Sequence, residues 1–103
     1  MTPVISCICI TRNRTELLAN AISCFEAQSF TPKDLVIVYE PDDITTATYL
    51  NNRSWEGIQI KIIAVTRKQG QYLGSLRNQA IAAASGEYVC QWDDDDWYHP
   101  KRL

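Results

Sequence analysis

Glu87-Tyr88-Val89-Cys90-Gln91-Trp92 runs without a break into Asp93-Asp94-Asp95-Asp96. An apolar, aromatic and β-branched run of this length predicts a buried strand, and the four carboxylates mark where it leaves the core. Upstream, Gly86 stands where a left-handed C-terminal cap would close a helix over Tyr72–Ser85. In that helix Leu73, Leu76, Ala80, Ile81 and Ala84 recur at helical spacing. The polar connection Thr66-Arg67-Lys68-Gln69-Gly70-Gln71 separates it from Ile58–Val65, whose period-two start predicts a third strand nearer the sheet edge.

The same alternation continues towards the N-terminus. Leu35–Tyr39 reads as a short buried strand ending in Glu40-Pro41-Asp42-Asp43. Asp43 is placed to cap a weaker helix through Tyr49–Asn52, weak because Thr45, Thr46 and Thr48 are poor helix formers. Val4–Ile10 predicts a first buried strand, followed by the turn Thr11-Arg12-Asn13-Arg14. Asn13 and Glu16 have the spacing of a capping box, and Leu17, Leu18, Ala21, Ile22, Cys24 and Phe25 share the apolar face of the helix that follows. Four strands alternating with three helices imply right-handed crossovers. The predicted architecture is a Rossmann-like three-layer α/β/α fold with a mainly parallel four-stranded sheet, forming one domain over residues 1–103.

Composition agrees. With 103 residues, 46% of them apolar and 21% charged, the chain supports one core and not two. A net charge of −2 gives no basic surface for a nucleic acid, and no apolar run reaches the length of a membrane span or a secretory h-region. Cys7, Cys9, Cys24 and Cys90 form no Cys-x-x-Cys pair, and His99 is the lone histidine, so buried reduced thiols in a cytosolic protein are expected over a zinc site or disulfide framework.

Folds of this kind bind ligands at the carboxyl ends of their strands. There the chain carries Thr11–Arg14, Glu40–Asp43 and Asp93–Asp96, with Thr66–Gln71 as a further segment. Four adjacent aspartates repel one another unless a cation or hydrogen-bond donors compensate. An oxygen-only donor set suits Mg²⁺ or Mn²⁺, above all where the cation also meets a diphosphate. Arg12, Arg14, Arg67, Lys68 and Arg77 could bind phosphate or form a solvated basic rim, and Glu40 could accept from a base or ribose or help cap the next helix.

Along essentially its whole length the chain resembles the nucleotide-binding half of a family 2 glycosyltransferase with the GT-A fold. Val4–Arg14 is similar to the family's first strand and turn, with Ile10 in place of the usual Pro and Arg12 in place of the usual aromatic residue. Gln28-Ser29-Phe30 matches the end of the first helix, and Val36–Glu40 the second strand. Gly70, Arg77-Asn78, Ala80-Ile81 and Ser85–Val89 match the stretch that leads to the metal motif, which Asp93–Pro100 resembles. The resemblance implies that Asp95 reaches a divalent metal, Mn²⁺ or Mg²⁺, and that Asp93 or Asp94 contacts the ribose side. It puts Glu40 where the family has its base-reading aspartate, makes Thr11 and Arg14 first-turn nucleotide contacts, and adds Arg67 and Arg77. The implied donor is a nucleotide sugar, a UDP-sugar first, and the implied acceptor a carbohydrate or lipid-linked hydroxyl attacked with inversion. The family's catalytic base lies beyond the metal motif, so none is expected before Leu103, and a donor-binding portion inactive alone is expected.

The competing reading is a noncatalytic Rossmann-like binding domain whose acidic loop caps the sheet. A nucleotidyltransferase would need a Gly-rich turn after the first strand, and a haloacid-dehalogenase-type phosphatase a nucleophilic aspartate there. Thr11-Arg12-Asn13-Arg14 has neither.

Overall fold

The computed structural model describes residues 5–29, 31–55, 58–65, 73–84 and 86–93. In chain order the elements are β1 (Ile5–Ile10), α1 (Thr15–Glu26), β2 (Lys33–Tyr39), α2 (Ile44–Asn52), β3 (Ile60–Ala64), α3 (Leu73–Ala83) and β4 (Tyr88–Gln91). The strands form one sheet in the order β3-β2-β1-β4, and every neighbouring pair is parallel. The predicted alternation and parallel sheet are therefore present.

Alternation along the two central strands divides the core into two layers. On one face Cys7, Cys9, Leu35 and Ile37 pack with Leu18, Ala21, Ile22 and Phe25 of α1 and Leu50 of α2. On the other, Ile8, Val36 and Val38 pack with Leu76 and Ala80 of α3. Burial on both faces explains why Leu35–Val38 reads as a continuous apolar run.

Trp92 fixes where β4 leaves the sheet. Its backbone N–H donates to the Ile8 carbonyl at 2.8 Å and its indole N–H to the Ala21 carbonyl at 2.9 Å. The ring is fully buried and meets Phe25 edge-on, with centroids 6.3 Å apart. The residue before the acidic run is thus anchored to both β1 and α1.

Several local expectations are corrected. The capping box at Asn13 and Glu16 does not form: Arg14 is the N-cap of α1, without a side-chain cap bond, and Asn13 has φ 50°. Asp43 captures the Asn13 backbone N–H instead. Gly86 is not a left-handed cap. A Cβ there would stand 2.6 Å from the backbone nitrogen of Ser6, so glycine is required because β1 passes close by. Leu17 and Ile81, expected on buried faces, are 38% and 44% exposed. β4 is not a buried strand: it has only β1 beside it among the described strands, and Tyr88 is 65% exposed. β3 occupies the opposite edge, as its alternation predicts.

Candidate functional site

Parallel pairing brings the exits of β1, β2 and β4 to one edge of the sheet. Ile10 pairs with Val38 and Ile8 with Gln91, so Thr11, Glu40 and Asp93 follow strands that end on the same side. Thr11 is 4% exposed, and its backbone N–H donates to the Val38 carbonyl at 3.1 Å, extending the ladder into the turn.

The turn after β1 is held from the turn after β2. Asp43, 2% exposed, accepts from the Asn13 N–H at 2.7 Å, the Thr46 N–H at 3.2 Å and the Thr46 hydroxyl at 2.6 Å. One carboxylate therefore caps α2, as predicted, and pins the left-handed backbone of Asn13, a conformation asparagine adopts more readily than most residues. Burial pushes the Asp43 carboxyl up. The bonds from Thr46 and Asn13, with the nearby Arg12 charge, outweigh it and leave the group below the usual carboxylate range.

A second link joins the same turns. The Arg12 guanidinium pairs with Glu40 through Nη1 and reaches Asp42 through Nη1 at 3.1 Å and Nη2 at 3.3 Å. The bond from Arg12 holds Asp42 below its ordinary range, and the same bond raises Arg12. The N-cap of α2 is Asp43, whose side chain accepts from the Thr46 N–H.

Asp93, the described member of the acidic run, accepts from Gln91 Nε2 at 2.7 Å. Arg14, exposed, helps line an open depression of about 330 Å³ with Asn13, Thr15, Glu16 and Leu17. Arg77 is partly buried in α3, the helix on the opposite face of the sheet from α1. Arg67, Asp94 and Asp95 lie outside the described residues. The structure thus brings Thr11, Arg14, Glu40 and Asp93 to one edge, and joins the turns there through contacts of Arg12, Asn13 and Asp43 that spacing alone does not give.

Among the described residues Cys7, Cys9 and Cys24 are buried thiols outside any disulfide, and Cys90 is a partly exposed one. Burial, with smaller contributions from Cys90 and Asp34, pushes the Cys7 thiol up to about 12, so it is a packing group and not a nucleophile. No helix among the described residues is long and apolar enough to cross a membrane.

Comparison with known proteins identifies the family and the fold. The family model for glycosyl transferase family 2 matches residues 6–103, and the chain belongs to that family. It is 34% identical over 98% of its length to WcaA of Escherichia coli (strain K12), which carries the name of a colanic acid biosynthesis glycosyl transferase. It is 29% identical over 88% of its length to the amylovoran biosynthesis glycosyltransferase AmsB of Erwinia amylovora. The chain spans 36% of the first relative and 30% of the second, about a third of each. Among solved structures, the Pyrobaculum calidifontis mannosyltransferase PcManGT, in complex with GDP-Man and Mn²⁺, superposes with a TM-score of 0.80 at 20% identity, over 99% of this chain and 30% of that one. TarS of S. aureus, residues 1–349 with UDP, superposes with a TM-score of 0.73 at 22% identity, over 94% and 29%. At these identities the superpositions establish the shared fold, that of the GT-A glycosyltransferases.

Proposed function

We propose that this chain binds the donor of a glycosyl transfer reaction, a nucleoside-diphosphate sugar and a UDP-sugar in first place, at the carboxyl edge of its sheet. The observation that carries the reading is the convergence of Thr11, Glu40 and Asp93 at the exits of three adjacent parallel strands. In this reading Glu40 meets the base, Thr11 and Arg14 meet the nucleotide at the first turn, and Asp93 or Asp94 meets the ribose. Arg67 and Arg77 supply charge towards the diphosphate.

The donor set of the Asp93–Asp96 run is oxygen only, which fits a hard divalent cation, Mn²⁺ or Mg²⁺, with Asp95 as its principal ligand. Such a cation would neutralise charge on the departing nucleoside diphosphate. The structural relative solved in complex with GDP-Man and Mn²⁺ supports that combination. The chain's own residues hold the base and phosphates and fix the donor's orientation. The full reaction is read as inverting transfer to a carbohydrate or lipid-linked hydroxyl, in the cytoplasm or at its face of a membrane, a compartment that suits four cysteines without a disulfide-framework spacing.

The test is calorimetric titration with UDP, with and without Mn²⁺, on the wild type and Asp95→Asn. Loss of the Mn²⁺-dependent part of binding in a folded variant is the expected result, with a cost of about 2–3 kcal/mol for removing one charged partner. Unchanged Mn²⁺-dependent binding in Asp95→Asn would remove the metal assignment.

A further inference from the structure

We propose that Arg12 is a specificity-determining residue of the nucleotide site: with Glu40 it forms a donor–acceptor pair that selects uracil over cytosine and guanine over adenine. The inference rests on the reading of Glu40 as the base contact.

Arg12 follows β1 and Glu40 follows β2, neighbouring strands whose exits share the proposed nucleotide edge. Their side chains are ion-paired, and they differ in depth: the Glu40 side chain is 14% exposed and that of Arg12 48%. Asp42 also holds the guanidinium, through Nη1 and Nη2, which restrains the fork. A guanidinium has five N–H donors, and three bonds go to these two carboxylates. Among the described residues no acceptor takes the remaining donors, so the fork can donate outward while still holding Glu40.

An ionised carboxylate only accepts and a guanidinium only donates. Side by side, they present an acceptor deep in the edge and a donor nearer its mouth. Uracil offers the complement in N3–H beside O4, and guanine offers it in N1–H beside O6. Cytosine and adenine present a ring-nitrogen lone pair to the carboxylate and an amino group to the guanidinium, which is wrong at both positions. They could match only by sliding along the edge, and that displaces a base whose ribose and diphosphate are anchored elsewhere. A buried polar group left facing the wrong partner discriminates more strongly than a missing apolar contact.

The experiment measures dissociation constants of UDP, CDP, GDP and ADP with Mn²⁺ for the wild type, Arg12→Met, Arg12→Lys and Glu40→Gln. Wild type should prefer UDP to CDP and GDP to ADP by about tenfold or more, the scale of one good paired base contact. Arg12→Met should bring both ratios close to one, and Arg12→Lys, which keeps a donor, should restore part of them. Equal weakening of all four nucleotides in Arg12→Met would make Arg12 structural only and overturn the proposal, as would a wild type that does not discriminate. Ratios intact in both Arg12→Met and Glu40→Gln would overturn Glu40 as the base contact while leaving a nucleotide site. Absence of binding by any of the four would overturn the donor-site reading and this proposal with it.

Discussion

Replacing Asp43 tests the joint between the two turns that frame the site. In Asp43→Ala the Thr46 hydroxyl, on a residue with no exposed surface, loses its 2.6 Å acceptor, and the first turn of α2 loses its cap. Loss of an N-cap costs about 0.5–2 kcal/mol, and an orphaned buried hydroxyl about 1–3 kcal/mol. The Asn13 N–H, on an exposed residue, can turn to water and adds little. A total near 3 kcal/mol is therefore expected, read by urea denaturation followed by far-UV circular dichroism. Asp43→Asn keeps the shape and one acceptor oxygen, so about half that loss is expected. The two variants also separate charge from shape. Because the folded Asp43 carboxyl lies below its ordinary range, its contribution is fully present above the unfolded value of about 3.9 and is lost as pH falls through the lower folded value. The stability gap between wild type and Asp43→Asn should therefore narrow from pH 7 to pH 3. An Asp43→Ala variant within about 0.5 kcal/mol of wild type would refute the reasoning, since that is the range of an unremarkable surface change. So would a gap to Asp43→Asn that does not change with pH.

Further outcomes follow from the same contacts. Gly86→Ala should destabilise the fold by about 1–3 kcal/mol, because its Cβ meets backbone of β1 that cannot swing aside; the shift in urea midpoint measures it. Trp92→Ala should cost about 3–5 kcal/mol in the same assay, and Trp92→Phe about 1 kcal/mol through the lost bond to Ala21. Cys90 should react with iodoacetamide at pH 8 well before Cys7, whose thiol is buried and pushed up to about 12; peptide mass spectrometry of the native protein gives the order.

How much of this was legible in the sequence depends on the range of the interactions that decide it. The β1, β2 and α1 segments declare themselves because their burial writes a local pattern, continuous in the strands and periodic in the helix. α2 is legible despite its threonines because Asp43 lies immediately before it. Asn13 is misread because the partner that wins its backbone N–H lies 30 residues away, where no capping pattern can register it. Gly86 is misread for a related reason: its constraint is the backbone of β1, a tertiary neighbour, and not its own φ. At the site, topology brings the polar segments together and so could be foreseen from strand order. The pairing of Arg12 with Glu40 and Asp42 could not, because an arginine beside a strand end looks the same whether it faces phosphate, solvent or a carboxylate.

The claim that a nucleoside diphosphate binds at the carboxyl edge of the sheet is tested most directly by mapping the amides that respond to it. ¹⁵N-labelled protein titrated with UDP and Mg²⁺ should show its largest shifts in the turns at 11–14 and 40–43 and around Asp93. Amides at the opposite edge, Lys33 and Gly86 among them, should stay where they are. Shifts centred on that opposite edge, or none at saturating UDP and Mg²⁺, would contradict the account.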